Sequence, residues 1–335
     1  MLAANSSRVF CVAAIGLLAT LGAPPLAGAQ AKESRPQRKP ATPVWTKTNC
    51  GEGVELRLSS ASATQGNLVQ AELRGAARLT DVSGVWDEKP VPFWQETMPA
   101  KQAPAGSKKS SAALKTGDLH RALLGIDLEK AAGTYEFAVS AKKDAIAVAC
   151  RVQIVVKAGR FATERLKVAP NFVEPNPEQL AKAQEDNKHL RELYATITPE
   201  KLWQGKFRIP LVGVTTGGNF GRRRILNGKS SSPHTGVDMP ALTGTPVHAS
   251  QRGRVVLAEE LYFSGNTILI DHGLGIYTLY GHFSETHVKP GDLVEAGTVI
   301  GKVGATGRVT GPHLHWGLTV DRARVNALSI VNVRD

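Results

Sequence analysis

Between residues 44 and 157 apolar and polar side chains alternate with a period of two. Val54, Leu56 and Leu58 alternate with Glu55 and Arg57, and Val69, Ala71 and Leu73 with Gln70, Glu72 and Arg74. Tyr135, Phe137 and Val139 form a third row, and Val148, Cys150, Val152 and Ile154 a fourth. Successive side chains of a strand point to opposite faces, so each row predicts a half-buried strand. Short alternating strands split by connections such as 127–133 predict an immunoglobulin-like β-sandwich over 44–158. Within it, the stretch 100–117 is rich in Lys, Ser and Ala and reads as a mobile surface loop. His120 stands alone between Leu119 and Arg121 and reads as structural.

The period changes after residue 158. Asn176 suits an N-cap, Pro177 the first helical position and Gln179 the third, which predicts a helix over 177–194. Its apolar stripe of Leu180, Ala183, Leu190 and Tyr194 is narrow and interrupted by Asn187, so the helix is expected to pack inside a linker, 159–204. From Trp203 onward glycine becomes dense. Short β-rich runs at 209–214, 247–257, 267–271, 276–280, 298–303 and 313–320 predict a second all-β domain over 205–335. The expected fold class is therefore mostly β, with an N-terminal sandwich, a linker helix and a C-terminal antiparallel domain.

Composition adds a location. The 335 residues carry a formal charge of +12, a basic bias that suits an anionic polymer such as a cell wall. No compact Lys/Arg block interleaved with aromatics appears, so nucleic acid is not an expected partner. Arg8, the apolar run 9–23, Pro24-Pro25 and the small residues Ala27-Gly28-Ala29 read as an export signal, 1–29, cut before Gln30. A flexible, Pro-rich and charged lead, 30–43, is expected to follow. These features imply an exported protein of the periplasm or cell wall, with no stable membrane anchor after cleavage. Signal removal leaves Cys50 and Cys150, and an even pair in an oxidising compartment predicts a disulfide. Closing so long a loop contributes about 4 to 5 kcal/mol in the chain-entropy model.

Seven of the nine histidines fall between His234 and His315, which locates the chemistry. In Gly311-Pro312-His313-Leu314-His315-Trp316 two imidazoles stand two residues apart, so on a strand they share a face. His234 and Asp238 also share a strand face, with Gly236 between them leaving space for an ion. Gly236 and Pro240 argue against a helix there. Adding one histidine of the 313/315 pair gives two nitrogens and one carboxylate oxygen, the ligand set of catalytic zinc with one position open. Without a thiolate, nitrogen donors favour zinc over an iron–sulfur cluster or calcium. His282 and the remaining member of the 313/315 pair are then the candidate proton carriers and oxyanion partners. Tyr280 and Arg223, the latter within the basic run 222–224, are candidate substrate contacts. His248, His272 and His287 read as structural or surface residues.

His234-x-x-x-Asp238, Tyr280-x-His282 and His313-x-His315, with Phe220-Gly221-x-Arg223 before them, resemble the signature of lysostaphin-type, LytM-like zinc endopeptidases. The likeness covers roughly 211–328. It implies a peptidoglycan hydrolase with one zinc held by His234, Asp238 and His315, with His282 and His313 as the catalytic histidines. It further implies peptidoglycan peptides as substrate and a lysostaphin-type antiparallel fold for the C-terminal domain. The alternative is a non-catalytic wall-binding regulator that activates another hydrolase; every position of the pattern is filled, which argues against it. The sandwich lies outside the likeness and is a candidate site for a regulatory protein. The stretch 289–301 is similar to the hairpin of biotinyl and lipoyl carrier domains, a likeness that bears on fold more than on function.

Overall fold

The computed structural model describes residues 45–96, 117–214 and 219–333. The predicted export signal and lead, and all but Gly117 of the 100–117 insertion, lie outside the described residues. The chain is mostly β. Among the described residues no helix is long and apolar enough to cross a membrane.

The alternating N-terminal rows form two five-stranded sheets. One holds Thr46–Asn49, Val54–Leu58, Leu68–Gly75, Asp118–Gly125 and Trp94–Glu96 in that order. The other holds Ser62–Thr64, Ile146–Lys157, Gly133–Lys143, Leu79–Trp86 and Lys89–Val91. Every pairing is antiparallel except that of Ser62–Thr64 with Ile146–Lys157. Leu56, Leu73, Phe137 and Ile154, inward members of their rows, and Leu124 of the Asp118–Gly125 strand fill the space between the sheets. Cys50 and Cys150 form a disulfide, Cα to Cα 5.1 Å, that joins the end of the Thr46–Asn49 strand to the opposite sheet.

The helix spans Pro177–Ala195 and opens with the expected reciprocal cap. Asn176 Oδ1 accepts from Gln179 N at 2.8 Å and Gln179 Oε1 accepts from Asn176 N at 3.1 Å. Its stripe differs from the expected one: Leu180 is exposed, and Leu190, Leu193 and Tyr194 carry the packing, against Leu257, Leu261, Leu269 and Tyr277. Asp186, buried on the same side, accepts from Tyr262 N at 2.7 Å and ties the helix to the last sheet.

That last sheet has nine strands. Gly236–Pro240, His313–Val320, Ile276–Thr286, Gly265–Asp271, Gly253–Leu261 and Leu293–Val294 lie in this order. Pro246–His248, Val299–Val303 and Ala323–Val325 pair off this path. The predicted strand at 209–214 does not form. Pro210 lacks the amide a ladder needs, and Gly213 takes φ 74°, so the segment lies over the core as a turn with Leu211 buried. The predicted run 247–257 is two strands split at 249–252, where the Gln251 amide donates to the carbonyls of Gln204 and Lys206.

Two features of the linker bear on the site. Thr163–Leu166 pairs in parallel with Arg223–Leu226, which pairs with Lys229–Ser230, so the linker adds a strand beside the histidines. The sandwich and the nine-stranded sheet also meet directly. Trp94, Leu123 and Leu128 join the same apolar cluster as Trp203 and Leu318, and Asp127 accepts from Arg324 Nε at 3.0 Å and Nη2 at 2.7 Å.

Candidate metal centre and groove

His313–Val320 is flanked by Gly236–Pro240 on one side and Ile276–Thr286 on the other. In the first pairing Asp238 stands opposite His315, and residues directly opposite share a face. In the second, Gly281 stands opposite His315 and leaves that face open. Gly236 has a different role from the expected one. A Cβ there would come within 2.5 Å of the His315 ring, so the missing side chain makes room for the imidazole itself.

His234 lies just ahead of its strand, with its amide on the Arg222 carbonyl. The ring is buried, and Nδ1 donates to the Asn219 carbonyl at 3.1 Å, which leaves the Nε2 lone pair aimed inward. Nε2 lies 2.9 Å from Asp238 Oδ1 and 3.0 Å from His315 Nδ1, and His315 Nδ1 lies 2.9 Å from Asp238 Oδ1. Asp238 Oδ2 is already taken, by Arg224 at 2.7 Å and the Asn219 amide at 3.0 Å. Three electron-rich atoms therefore converge on one point, and two of them, those of His234 and Asp238, are oriented from behind by a second group.

This cluster is the one among the described residues that can hold a metal ion. Zinc bonds of about 2.0–2.1 Å in a tetrahedron place neighbouring donors about 3.3 Å apart, so the three atoms need open only slightly to accept the ion. Charge also suits it. Burial pushes the Asp238 carboxyl up, but the bonds from His234 and His315 outweigh this and hold it far below the usual carboxylate range. Burial lowers His315 against the opposing pull of Asp238. An ionised carboxylate and a neutral imidazole are the states a metal requires.

His282 and His313 stand beside the triad. Their rings are 4.7 Å apart, and His313 Nε2 is 3.6 Å from Asp238 Oδ1. His282 Nδ1 donates to the Thr306 carbonyl and His313 Nδ1 to the Gly311 carbonyl, both at 2.8 Å. Burial, then the charges of His315 and His313, bring His282 down to about 3. His282 has φ 68°, a left-handed conformation uncommon for a residue with a side chain.

That conformation corrects one expectation. Tyr280 and His282 are two apart and on a regular strand would share a face, but the turn at His282 breaks the parity. Tyr280 is fully buried, and its hydroxyl accepts from Ser250 N at 2.8 Å and from Thr278 Oγ1 at 3.0 Å. It is a core residue with no route to substrate. Arg223 is likewise misplaced: it is exposed on the far face of Arg223–Leu226, and its neighbour Arg224 reaches Asp238. His272 is structural as expected, fully buried between the Arg252 carbonyl and Thr278 Oγ1.

The cluster opens into a groove of about 260 Å³ whose walls include Asn219, Arg224, His282, Arg308, His313 and, from the linker strand, Glu164. The sequence reading missed Asn219, Glu164 and Arg308. Glu164 lies far from the motifs and belongs to the groove only because its strand pairs with Arg223–Leu226.

Residues 232–327 match the model of Peptidase family M23. This stretch of the chain, and not the sandwich before it, is what is similar to peptidases of that family. The peptidoglycan DD-endopeptidase ShyA of Vibrio cholerae is 44% identical over 111 residues, 33% of this chain and 26% of that protein. The DD-carboxypeptidase/endopeptidase Mpg of Neisseria meningitidis is 38% identical over 147 residues, 44% of this chain and 31% of that protein. The chain thus spans under a third of the length of these relatives. A solved Pseudomonas aeruginosa structure assigned to peptidase M23 shares the fold at TM-score 0.56 and 23% identity, covering 80% of this chain and 94% of that one.

Proposed function

We propose that this chain is an exported zinc endopeptidase that hydrolyses stem-peptide cross-links in peptidoglycan. Its export signal is 1–29 and its lead 30–43; a sandwich, 44–158, and a linker, 159–204, precede the peptidase domain, 205–335. The observation that carries the reading is the convergence of His234 Nε2, His315 Nδ1 and Asp238 Oδ1 within 3.0 Å of one another, beside a groove that Asp238 lines. The activities for which ShyA and Mpg are named support the choice of substrate.

His234, Asp238 and His315 would hold the ion, with Asn219 and Arg224 fixing two of them. When bound, zinc supplies Lewis acidity toward water and the peptide carbonyl. With each Nδ1 committed to a backbone carbonyl, His282 and His313 keep Nε2 free. Nε2 of one ring takes the proton lost by the attacking water; the N–H so formed faces the oxyanion that develops on the carbonyl and then passes its proton to the departing amine. Purified sacculi digested with the zinc-loaded chain should release cross-link-cleaved muropeptides identifiable by mass. One zinc per chain with no released product would favour a non-catalytic wall-binding role.

A further inference from the structure

The cations in and beside the groove are unequally satisfied. Arg222 donates to Glu164 at 2.7 Å, and Arg224 donates to Asp238 at 2.7 Å. Arg308 has no carboxylate partner among the described residues, although it lines the same groove as Asp238, His282 and His313. Its guanidinium lies over the Phe263 ring, 4.4 Å from the centroid, half-buried. Burial, then the charge of Arg224, lowers it to about 10.

The turn that carries Arg308 is held in place. Arg308 N donates to the Phe263 carbonyl at 2.8 Å, and Thr306 Oγ1 accepts from Asn266 N at 3.0 Å and donates to the Phe283 carbonyl at 2.9 Å. The Thr306 carbonyl accepts the Nδ1 proton of His282, so this turn also orients a candidate catalytic ring. A desolvated guanidinium next to a like charge is unfavourable without an anion. Here the aromatic face orders it while its donor fork stays open to the groove, and that planar fork matches a carboxylate bidentately.

We propose that Arg308 is a carboxylate-binding subsite, which takes a free carboxylate of the peptide substrate next to the scissile bond. The inference rests on the peptidase reading above and adds a specificity to it. Two sources share this chemistry, the terminal carboxylate of a peptide and a carboxylate borne within it.

The test uses the full, zinc-loaded chain and cross-linked muropeptides in which each carboxylate is amidated in turn. Amidating the recognised group should lower kcat/KM roughly ten- to a hundredfold, the worth of a charged hydrogen bond; which amide does so identifies the source. Arg308→Met should lose the same factor on the free acid and no longer distinguish acid from amide, with Arg308→Lys partly restoring the preference. Calorimetric binding of uncross-linked muropeptides needs no cleavage and separates the two readings. A preference for the acid that depends on Arg308, without hydrolysis of the dimers, would uphold the subsite and overturn the catalytic reading. Equal binding and equal kcat/KM for every acid and amide would overturn the subsite even in an active peptidase.

Discussion

His315 and Asp238 face each other across one antiparallel strand pair, Nδ1 2.9 Å from Oδ1, and every other candidate ligand or proton carrier is placed relative to that pair. The strand register sets this contact, and His234 enters from the preceding loop to complete the three-atom cluster.

His234→Ala and Asp238→Ala should each lose both bound zinc and hydrolysis. His282→Ala should keep near-stoichiometric zinc and lose cleavage by a factor of about 100 or more, the usual contribution of a proton carrier. Metal content by atomic emission beside sacculus digestion checks this. Equal zinc loss in all three variants would contradict the division of roles.

Gly236→Ala tests the room made for His315. Its methyl would lie 2.5 Å from the ring and 2.8 Å from the Trp316 carbonyl, so the imidazole must turn and zinc affinity should fall at least about tenfold. Gly311→Ala, in open space, keeps the carbonyl that orients His313 and is the control. Competition with a zinc-binding dye measures both.

Much of this fold was legible because its causes are local. Alternation in 54–58 and 69–73 is the pleat itself, and the Asn176 cap closes within four residues. The pair His313 and His315 share a face because a strand requires it. The errors have non-local or singular causes. The positive φ of His282 separates it from Tyr280 and no spacing announces it. Arg224, and not Arg223, faces Asp238 because Arg223–Leu226 is set by pairing with a linker strand some sixty residues earlier in the chain. Pro210 and Gly213 overrule the apolar content of 209–214.

Arg224→Met should therefore weaken zinc binding about ten- to a hundredfold by leaving Asp238 Oδ2 with Asn219 alone. Arg223→Met, on the outer face, should leave affinity unchanged. The same dye competition decides, and a larger effect at Arg223 would mean that the strand faces the other way.

Acid should destabilise the chain through His272. Burial lowers this ring to about 4, while in the unfolded chain it titrates near the ordinary histidine value of 6.5. Between these values the unfolded chain binds the extra proton, so stability rises with pH across the window. The contribution is complete above the unfolded value, falls as the pH drops from there, and is gone below the folded one. The difference corresponds to about 3 kcal/mol. His282, brought down to about 3, acts in the same direction. Metal-free protein unfolded in urea at pH 7.5 and pH 5 should show a lower midpoint at pH 5. His272→Gln, which can still donate to the Arg252 carbonyl, should be less stable at pH 7.5 but lose less on acidification. An equal acid-induced loss in the variant would assign the effect to groups other than His272.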